Sequence, residues 1–480
     1  MRRHSMQAEK KLMRHTLLLG GATALSKIAV FFLMPLYTAY LTPADFGTVD
    51  IIVSTAVLLI PLVSLNAPEA VFRFGAGGAG ERTVFSNGLI MALTGAVAFG
   101  MVLPLFRLSA TMAPYRYLLF FYVLASMMRS FFAHYLRGQG KYGLFALQQF
   151  FCVTATTLLE LLFLPVLRLG VSGYLAAVVL ADGMTCLLLF LHAPPWRLFS
   201  WRALDRGLVT RMLRYALPLV PTAILWWVMS VSDRYVLLFY HGEALTGLYA
   251  AAGRIPAVLT LGVSIFMEAW HYAALCEQES RERLFDRVYG AMLPVLVTAT
   301  GVVIVSARAV ISHLYAAGYG EAARYVPILA VASLISGIVT FLGSVYTVRM
   351  RSGASFLTTL AGGLCNLVLN IWWIPAGGAM GAALATLVSY YLIFLLRALH
   401  ARRLLAFDTR PHKVTLAALL LLFAAVFAAR DMYVTASIIS ALALLPFFEE
   451  IPTAFGLIRQ MLPFSLKKTQ KSKEDIDKIR

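Results

Sequence analysis

The sequence predicts an all-α polytopic membrane protein, and three observations carry that reading. Of its 480 residues, 60% are apolar and 13% charged, with a mean hydropathy of +0.78, far from the composition of soluble domains. Apolar runs of about 18 residues or more recur along nearly the whole chain, the length a helix needs to cross about 30 Å of hydrocarbon. The formal charge of +18 would suggest nucleic acid in a soluble chain, but here the basic residues are sorted by loop.

Fourteen spans are expected: 16–41, 46–70, 84–106, 115–136, 144–167, 171–193, 213–239, 244–272, 288–308, 323–346, 356–375, 378–399, 413–430 and 432–449. The first has basic residues before it, as a signal peptide does. It is too long for a signal-peptide core and lacks a small-residue cleavage site, so it reads as a retained span. A polar break from Leu41 to Asp45 separates it from the second. The last two spans are parted only by Arg430 and Asp431, so twelve or thirteen spans remain open.

With the N-terminus inside, the inner segments hold 31 lysines and arginines and the outer ones 6. The positive-inside rule then puts both termini in the cytoplasm. The chain divides into a six-helix lobe (1–193), a linker (194–213), a second six-helix lobe (214–400), an additional helix pair (401–450) and a polar tail (451–480). The four cysteines (Cys152, Cys186, Cys276 and Cys365) are scattered without CxxC or Cys/His spacing. No disulfide framework, metal site or cofactor is expected.

A weak internal repeat supports the two halves. At an offset of 200, Tyr40 falls on Tyr240, Gly47 on Gly247, and Val63-Ser64 on Val263-Ser264. Each copy reads helix, short outer break, Gly, helix. Parallel repeats of this kind place a substrate between the halves, near mid-membrane.

The stretches GGATALSKIAVFFLMPLYTAYLTPADFGTVDIIVS, PEAVFRFGAGG and SDRYVLLFYHGEALTGLYAAAGRIPAVL resemble the polysaccharide-transport (Wzx-type) branch of the MOP exporter superfamily. Its relatives include MurJ-type lipid II flippases and MATE multidrug exporters. The resemblance covers the whole length in span number and half-and-half layout, on loose motifs. It implies a V-shaped bundle, opening inward and outward, that flips undecaprenyl-pyrophosphate-linked saccharides across the inner membrane. It also implies that Arg73 occupies a position where the family has an arginine, and that Arg234 faces the cavity from the second half.

Charges inside apolar spans are costly and mark functional candidates. Lys27, near mid-depth of the first span, is either a cavity cation for a pyrophosphate or acidic sugar, or a lysine paired within the bundle. Glu69 and Arg73 sit at i,i+4 in the order that favours an ion pair, with a structural or a gating role. Arg129 either guides a diphosphate through two-point guanidinium contacts or is an interfacial arginine. Asp233 and Arg234 point about 100° apart on a helix, so each needs its own partner. Arg254, two residues before Pro256, combines a mid-span cation with a helix break. Glu160, Asp182 and Glu268 are candidates for ion coupling or for pairing with these cations, and His271 lies at i,i+3 from Glu268. Trp226-Trp227 and Trp372-Trp373 fit interface belts and packing as well as sugar stacking.

The excess of basic over acidic residues at depth favours an anionic lipid headgroup over the organic cation of a drug exporter. A MurJ-like lipid II flippase shares that logic, and a MATE-type antiporter remains the alternative that the internal carboxylates permit. No loop exceeds about 20 residues, which disfavours an enzyme, and no ring of like residues suggests a channel filter. The expected partners are the lipid-linked saccharide, membrane lipids and polysaccharide polymerase or chain-length machinery, with no nucleic acid. Alternating access is the expected mechanism, with the last two spans guiding the lipid tail.

Overall fold

In the computed structural model, residues 32–76, 80–276 and 280–461 are described, and among them every regular element is a helix. Among the described residues, ten helical stretches are long and apolar enough to cross a membrane, with Ala257–Glu268 and Tyr433–Phe447 as shorter apolar helices. Two of the ten, Arg206–Arg254 and Ser352–Leu404, run through a backbone break and so each cover more than one of the expected spans. The first expected span, 16–41, lies largely outside the described residues.

The chain forms two compact units. The first holds the chain to Arg254, with Val310–Tyr325 and Gly363–Ala385. Its helices are α1 (Met34–Tyr40), α2 (Pro43–Val63), α3 (Ala67–Ala76), α4 (Glu81–Val102), α5 (Arg116–Gly138), α6 (Tyr142–Phe163), α7 (Gly170–His192), α8 (Arg206–Ala216) and α9 (Leu219–Arg254). The break anticipated at Leu41 to Asp45 is a helix start. Thr42 and Asp45 form a reciprocal capping box, and Pro43 supplies the fixed φ that opens α2. Pro61 near the far end leaves a turn through Leu65 and Asn66, both at positive φ, before α3 begins.

Helix α9 breaks at Gly242 (φ 77°), where the sequence places the connection between spans seven and eight. Beyond it, the chain crosses α2 at van der Waals limits. A Cβ on Gly47 would lie 2.1 Å from the Glu243 carbonyl oxygen, and one on Gly247 would lie 1.8 Å from that of Pro43. The contact is reciprocal, 47 to 243 and 247 to 43, so the two copies of the repeat meet each other. Only glycine permits that approach. Val310–Tyr325 packs on the same crossing, with Tyr319 Oη donating to Leu41 O at 3.0 Å and Tyr315 Oη to Ala251 O at 3.3 Å.

The second unit holds Ile255–Ala309, Val326–Gly362 and Thr386–Arg480. Its helices are α10 (Ala257–Cys276), most of α11 (Arg281–Leu314), α12 (Val326–Val348), both ends of α13 (Ser352–Leu404), α14 (Pro411–Ala428), α15 (Tyr433–Leu442) and α16 (Ile451–Met461). The expected span 244–272 is therefore divided. Arg254 closes α9, Pro256 has no N–H to continue the ladder, and α10 starts at Ala257. Trp270 sits in an aromatic core, 4.8 Å from the Phe285 ring and 5.0 Å from Phe341, and its indole N–H reaches Ser344 Oγ at 2.9 Å. Ion pairs of Arg410 with Asp286 and Glu450, and of Lys413 with Glu450, tie α14 to α11 and the chain before α16.

Gly47→Val should separate α2 from α9. Overpacking of this kind costs about 1–3 kcal/mol, so the thermal midpoint of the detergent-purified protein should fall, and an unchanged midpoint would contradict the close crossing.

Candidate functional site

Just past the Gly47–Gly247 crossing, α2 and α9 share a charge cluster. Asp50 is 4% exposed and lies two turns inside an apolar helix. Arg234 Nη1 approaches its carboxylate at 3.1 Å and Arg254 Nη2 at 3.4 Å. Both arginines are partly accessible, and Arg254 also lies over the Phe46 ring at 5.9 Å. Arg234 Nη1 reaches Ser54 Oγ at 3.4 Å, while its Nε is buried without a hydrogen-bond partner. Trp227 donates to Ser54 O at 2.7 Å, and the Thr55 and Tyr235 hydroxyls meet at 2.5 Å. Two guanidiniums therefore face one carboxylate. Taken by themselves, Asp50, Arg234 and Arg254 sum to one positive charge, with Asp233 as the neighbouring carboxylate, and their donors outnumber the acceptors of Asp50.

Asp233 and Arg234 do have separate partners, as their angular spacing requires. Arg234 turns to α2, and the Asp233 carboxylate accepts from Tyr249 Oη at 2.7 Å. Beside it, Ser232 Oγ donates to Asn366 Oδ1 at 3.3 Å, and Asn370 Nδ2 donates to Asn366 Oδ1 at 2.9 Å. This buried amide and hydroxyl group was not singled out in the sequence.

A second buried pair lies among α5, α6 and α7. Arg129 Nε is 2.7 Å from Asp182 Oδ1, and Arg129 Nη1 reaches Gln148 Oε1 at 3.3 Å. Asp182 also accepts from the Ser126 hydroxyl and, at 3.2 Å, from the Cys152 thiol. These contacts satisfy the carboxylate and make the pair electrically neutral. Glu160 is buried and accepts from Tyr37 Oη at 2.8 Å, with the Tyr174 ring 5.3 Å from that of Tyr37.

The other candidates are placed apart from these clusters. The i,i+4 spacing anticipates a Glu69–Arg73 pair. The carboxylate instead meets His134 Nε2 at 3.6 Å, brought there by α5, and Arg73 is exposed. Glu268 and His271 are exposed on α10. Lys27 lies outside the described residues. Among the described residues, no group of His, Cys, Asp and Glu side chains is placed to hold a metal ion. Asp50, the centre of the first cluster, was missed because it stands near an interface in the sequence. A carboxylate inside the apolar helix Pro43–Val63 was the available signal.

Asp182→Asn should strand the Arg129 charge and destabilise the protein by about 3–5 kcal/mol. Joint replacement, Arg129→Met with Asp182→Leu, should restore much of the loss. Thermal midpoints of the three proteins check this; equal losses for the single and double variants would contradict it.

The family model described as "Polysaccharide biosynthesis protein" matches residues 12–271, more than half of the chain. Comparison with curated proteins finds no sequence match. Among solved structures, a lipid II flippase MurJ in an inward closed conformation is similar at TM-score 0.68 and 14% identity, over 90% of this chain and 98% of that one. An outward-facing multidrug resistance MATE family transporter of the MOP superfamily matches at TM-score 0.56 and 16% identity, over 81% and 95%. A Vibrio cholerae MATE transporter matches at TM-score 0.55 and 13% identity, over 82% and 98%. At these identities the structural likeness speaks to fold. The chain belongs to the polysaccharide biosynthesis protein family and has the fold of the MOP exporters.

Proposed function

We propose that this polysaccharide-synthesis transporter moves an undecaprenyl-pyrophosphate-linked oligosaccharide, such as an O-antigen, capsule or exopolysaccharide repeat unit, across the cytoplasmic membrane. The observation that carries the reading is the net positive Asp50–Arg234–Arg254 cluster joining α2 to α9. A diphosphate offers several anionic oxygens, and a guanidinium binds such oxygens two at a time. The substrate diphosphate would replace Asp50 as the partner of Arg234 and Arg254. Asp50 holds the two helices together only while it has the arginines to itself, so the exchange would favour a state in which they part. A ligand shifts a conformational equilibrium through such a difference in affinity.

In this mechanism residues 1–193 rock against 214–400, and both termini stay in the cytoplasm. Lys27 would add positive charge along the route, with Arg73 at its rim, and Arg129 would contribute a phosphate contact only where the substrate displaces Asp182. Glu69, Glu160, Asp182, Asp233 and Glu268 would gate the cycle or couple it to ions. Polymerase and chain-length proteins would receive the product. An open apolar groove of about 560 Å³ in the second unit supports a place for part of the prenyl tail. Leu416, Leu420, Leu442 and Leu445 line it, with His412 and Lys413 at one side.

The cation-exporter reading needs carboxylates free for substrate. Asp50 and Asp182 are instead engaged by arginines, and Asp233 by Tyr249. A lipid II flippase would use the same cationic chemistry, so a host assay must separate the two.

The test is surface polysaccharide in a host lacking its own oligosaccharide flippase, with expression matched. Wild type should restore it, while Arg234→Gln, Arg254→Gln and Lys27→Ala should each reduce it by roughly tenfold or more, the scale of losing one charge-assisted contact. Rescue of a host depleted of lipid II flippase would reassign the substrate. Failure of both, with efflux of cationic dyes, would refute the proposal.

A further inference from the structure

Between α7 and α9 the chain runs through a segment too short and too polar to cross the bilayer. It holds a turn at Pro195–Leu198, another at Trp201–Ala203, and α8. Its path is pinned to α4. Asn87 Nδ2 donates to Ala203 O at 3.1 Å, and its Oδ1 accepts from Asp205 N at 3.0 Å. Ser86 Oγ accepts from Ser200 N at 3.0 Å. Leu208, Met212 and Ala216 bury one face of α8, and Tyr215 packs edge-on against Phe74 of α3 at 6.2 Å. The segment is thus a fixed strap, with a defined inner face.

Its outer face has a specific composition. Arg197, Arg202, Arg206, Arg211 and Arg214 are all exposed, and among the described residues none is paired with a carboxylate. The strap's one acid, Asp205, caps α8 through Gly207 N at 2.8 Å. Trp196 and Trp201 are 71% and 74% exposed, and an indole suits a boundary where one end is apolar and the other wet. Trp196 and Trp201 stand directly before Arg197 and Arg202, a few residues after the membrane-length helix α7 ends at His192.

We infer that this strap is a docking surface for anionic phospholipid headgroups. Tryptophan settles at the headgroup level, with its ring in the acyl boundary and its N–H in the wet layer. Guanidiniums spaced along the strap would meet lipid phosphates in two-point contacts. Basic residues at an anionic surface add attraction one by one, within about a Debye length. The apolar face of α8 is taken up by protein, so its arginines would supply charge while Trp196 and Trp201, before the helix, would supply the apolar contact. Because α4 holds the backbone in place, the surface is preorganised and needs no folding on contact. This inference is independent of which lipid-linked saccharide is transported.

The test uses the full chain purified in neutral detergent and offered equal amounts of phosphatidylglycerol and phosphatidylcholine, with retained lipid read by native mass spectrometry. Wild type should prefer phosphatidylglycerol by about tenfold or more, and the preference should collapse between 0.1 and 1 M salt as the Debye length shrinks from about 10 to 3 Å. This arm needs no variant. Arg197→Gln, Arg202→Gln, Arg206→Gln and Arg211→Gln, made together, should lose at least tenfold of the preference, since each basic residue contributes roughly fivefold. The four Arg→Lys changes should keep most of it. Lipid brominated on its acyl chains should quench wild-type fluorescence more than that of Trp196→Phe with Trp201→Phe. Any of three results would overturn the inference: a preference unchanged by salt, equal lipid retention in the Gln variant, or equal quenching in the Phe variant. Retention of undecaprenyl phosphate but not phosphatidylglycerol would also overturn it, in favour of the transported lipid.

Discussion

A charge held inside an apolar bundle must have a partner, and in the first unit that requirement decides which helices meet. Asp50 holds α2 against α9 through two arginines, and Asp182 holds α7 against α5 through one. Removing one member of such a pair leaves an uncompensated buried charge, which costs more than the intact pair contributes. The two sites differ in their balance. Around Asp182, one guanidinium is joined by a hydroxyl and a thiol, and the charge is closed. Around Asp50, two guanidiniums share one carboxylate, so neither has it to itself. That inequality makes the α2–α9 site the place where an incoming anion has something to gain.

The same crossing depends on backbone contact. Gly47 and Gly247 bring the helices close enough for arginine and aspartate to meet along them, and the reciprocal geometry follows from the repeat. A larger residue at either glycine would move the helix axes apart and lengthen the 3.1 and 3.4 Å contacts. Packing and charge are therefore coupled at one place. Tyr315 and Tyr319 add hydrogen bonds to backbone carbonyls there, which reinforce the crossing without adding charge.

The second unit answers its polar groups differently. Arg397 is 7% exposed, yet its guanidinium reaches only neutral oxygens, those of Thr358, Thr359, Ser355 and the Val339 carbonyl. Arg410 and Lys413 converge on Glu450, adding ion pairs to the apolar stripe from Val414 to Ala428 that α14 buries.

Much of the architecture was legible in the chain. Hydropathy and span length give a helical membrane protein because hydrocarbon leaves the backbone few alternatives to helix. The Leu41–Asp45 break, the Gly242 connection and the division at Pro256 follow from local chemistry: a capping box, a positive φ and a missing N–H. The sequence also marked Arg234, Arg254, Arg129 and Asp182 as buried charges in need of partners. It did not say who those partners were, because pairing joins residues more than a hundred positions apart for Asp50 and dozens apart for Asp182. Glu69 illustrates the limit. Its helix-local spacing pointed to Arg73, but a neighbouring helix brought His134 instead. Asp50 became visible as a site only when tertiary packing set two arginines around it. Residue type and periodicity fix how each segment folds, whereas only the crossing of distant helices decides which charges are neutralised and which remain available to a ligand.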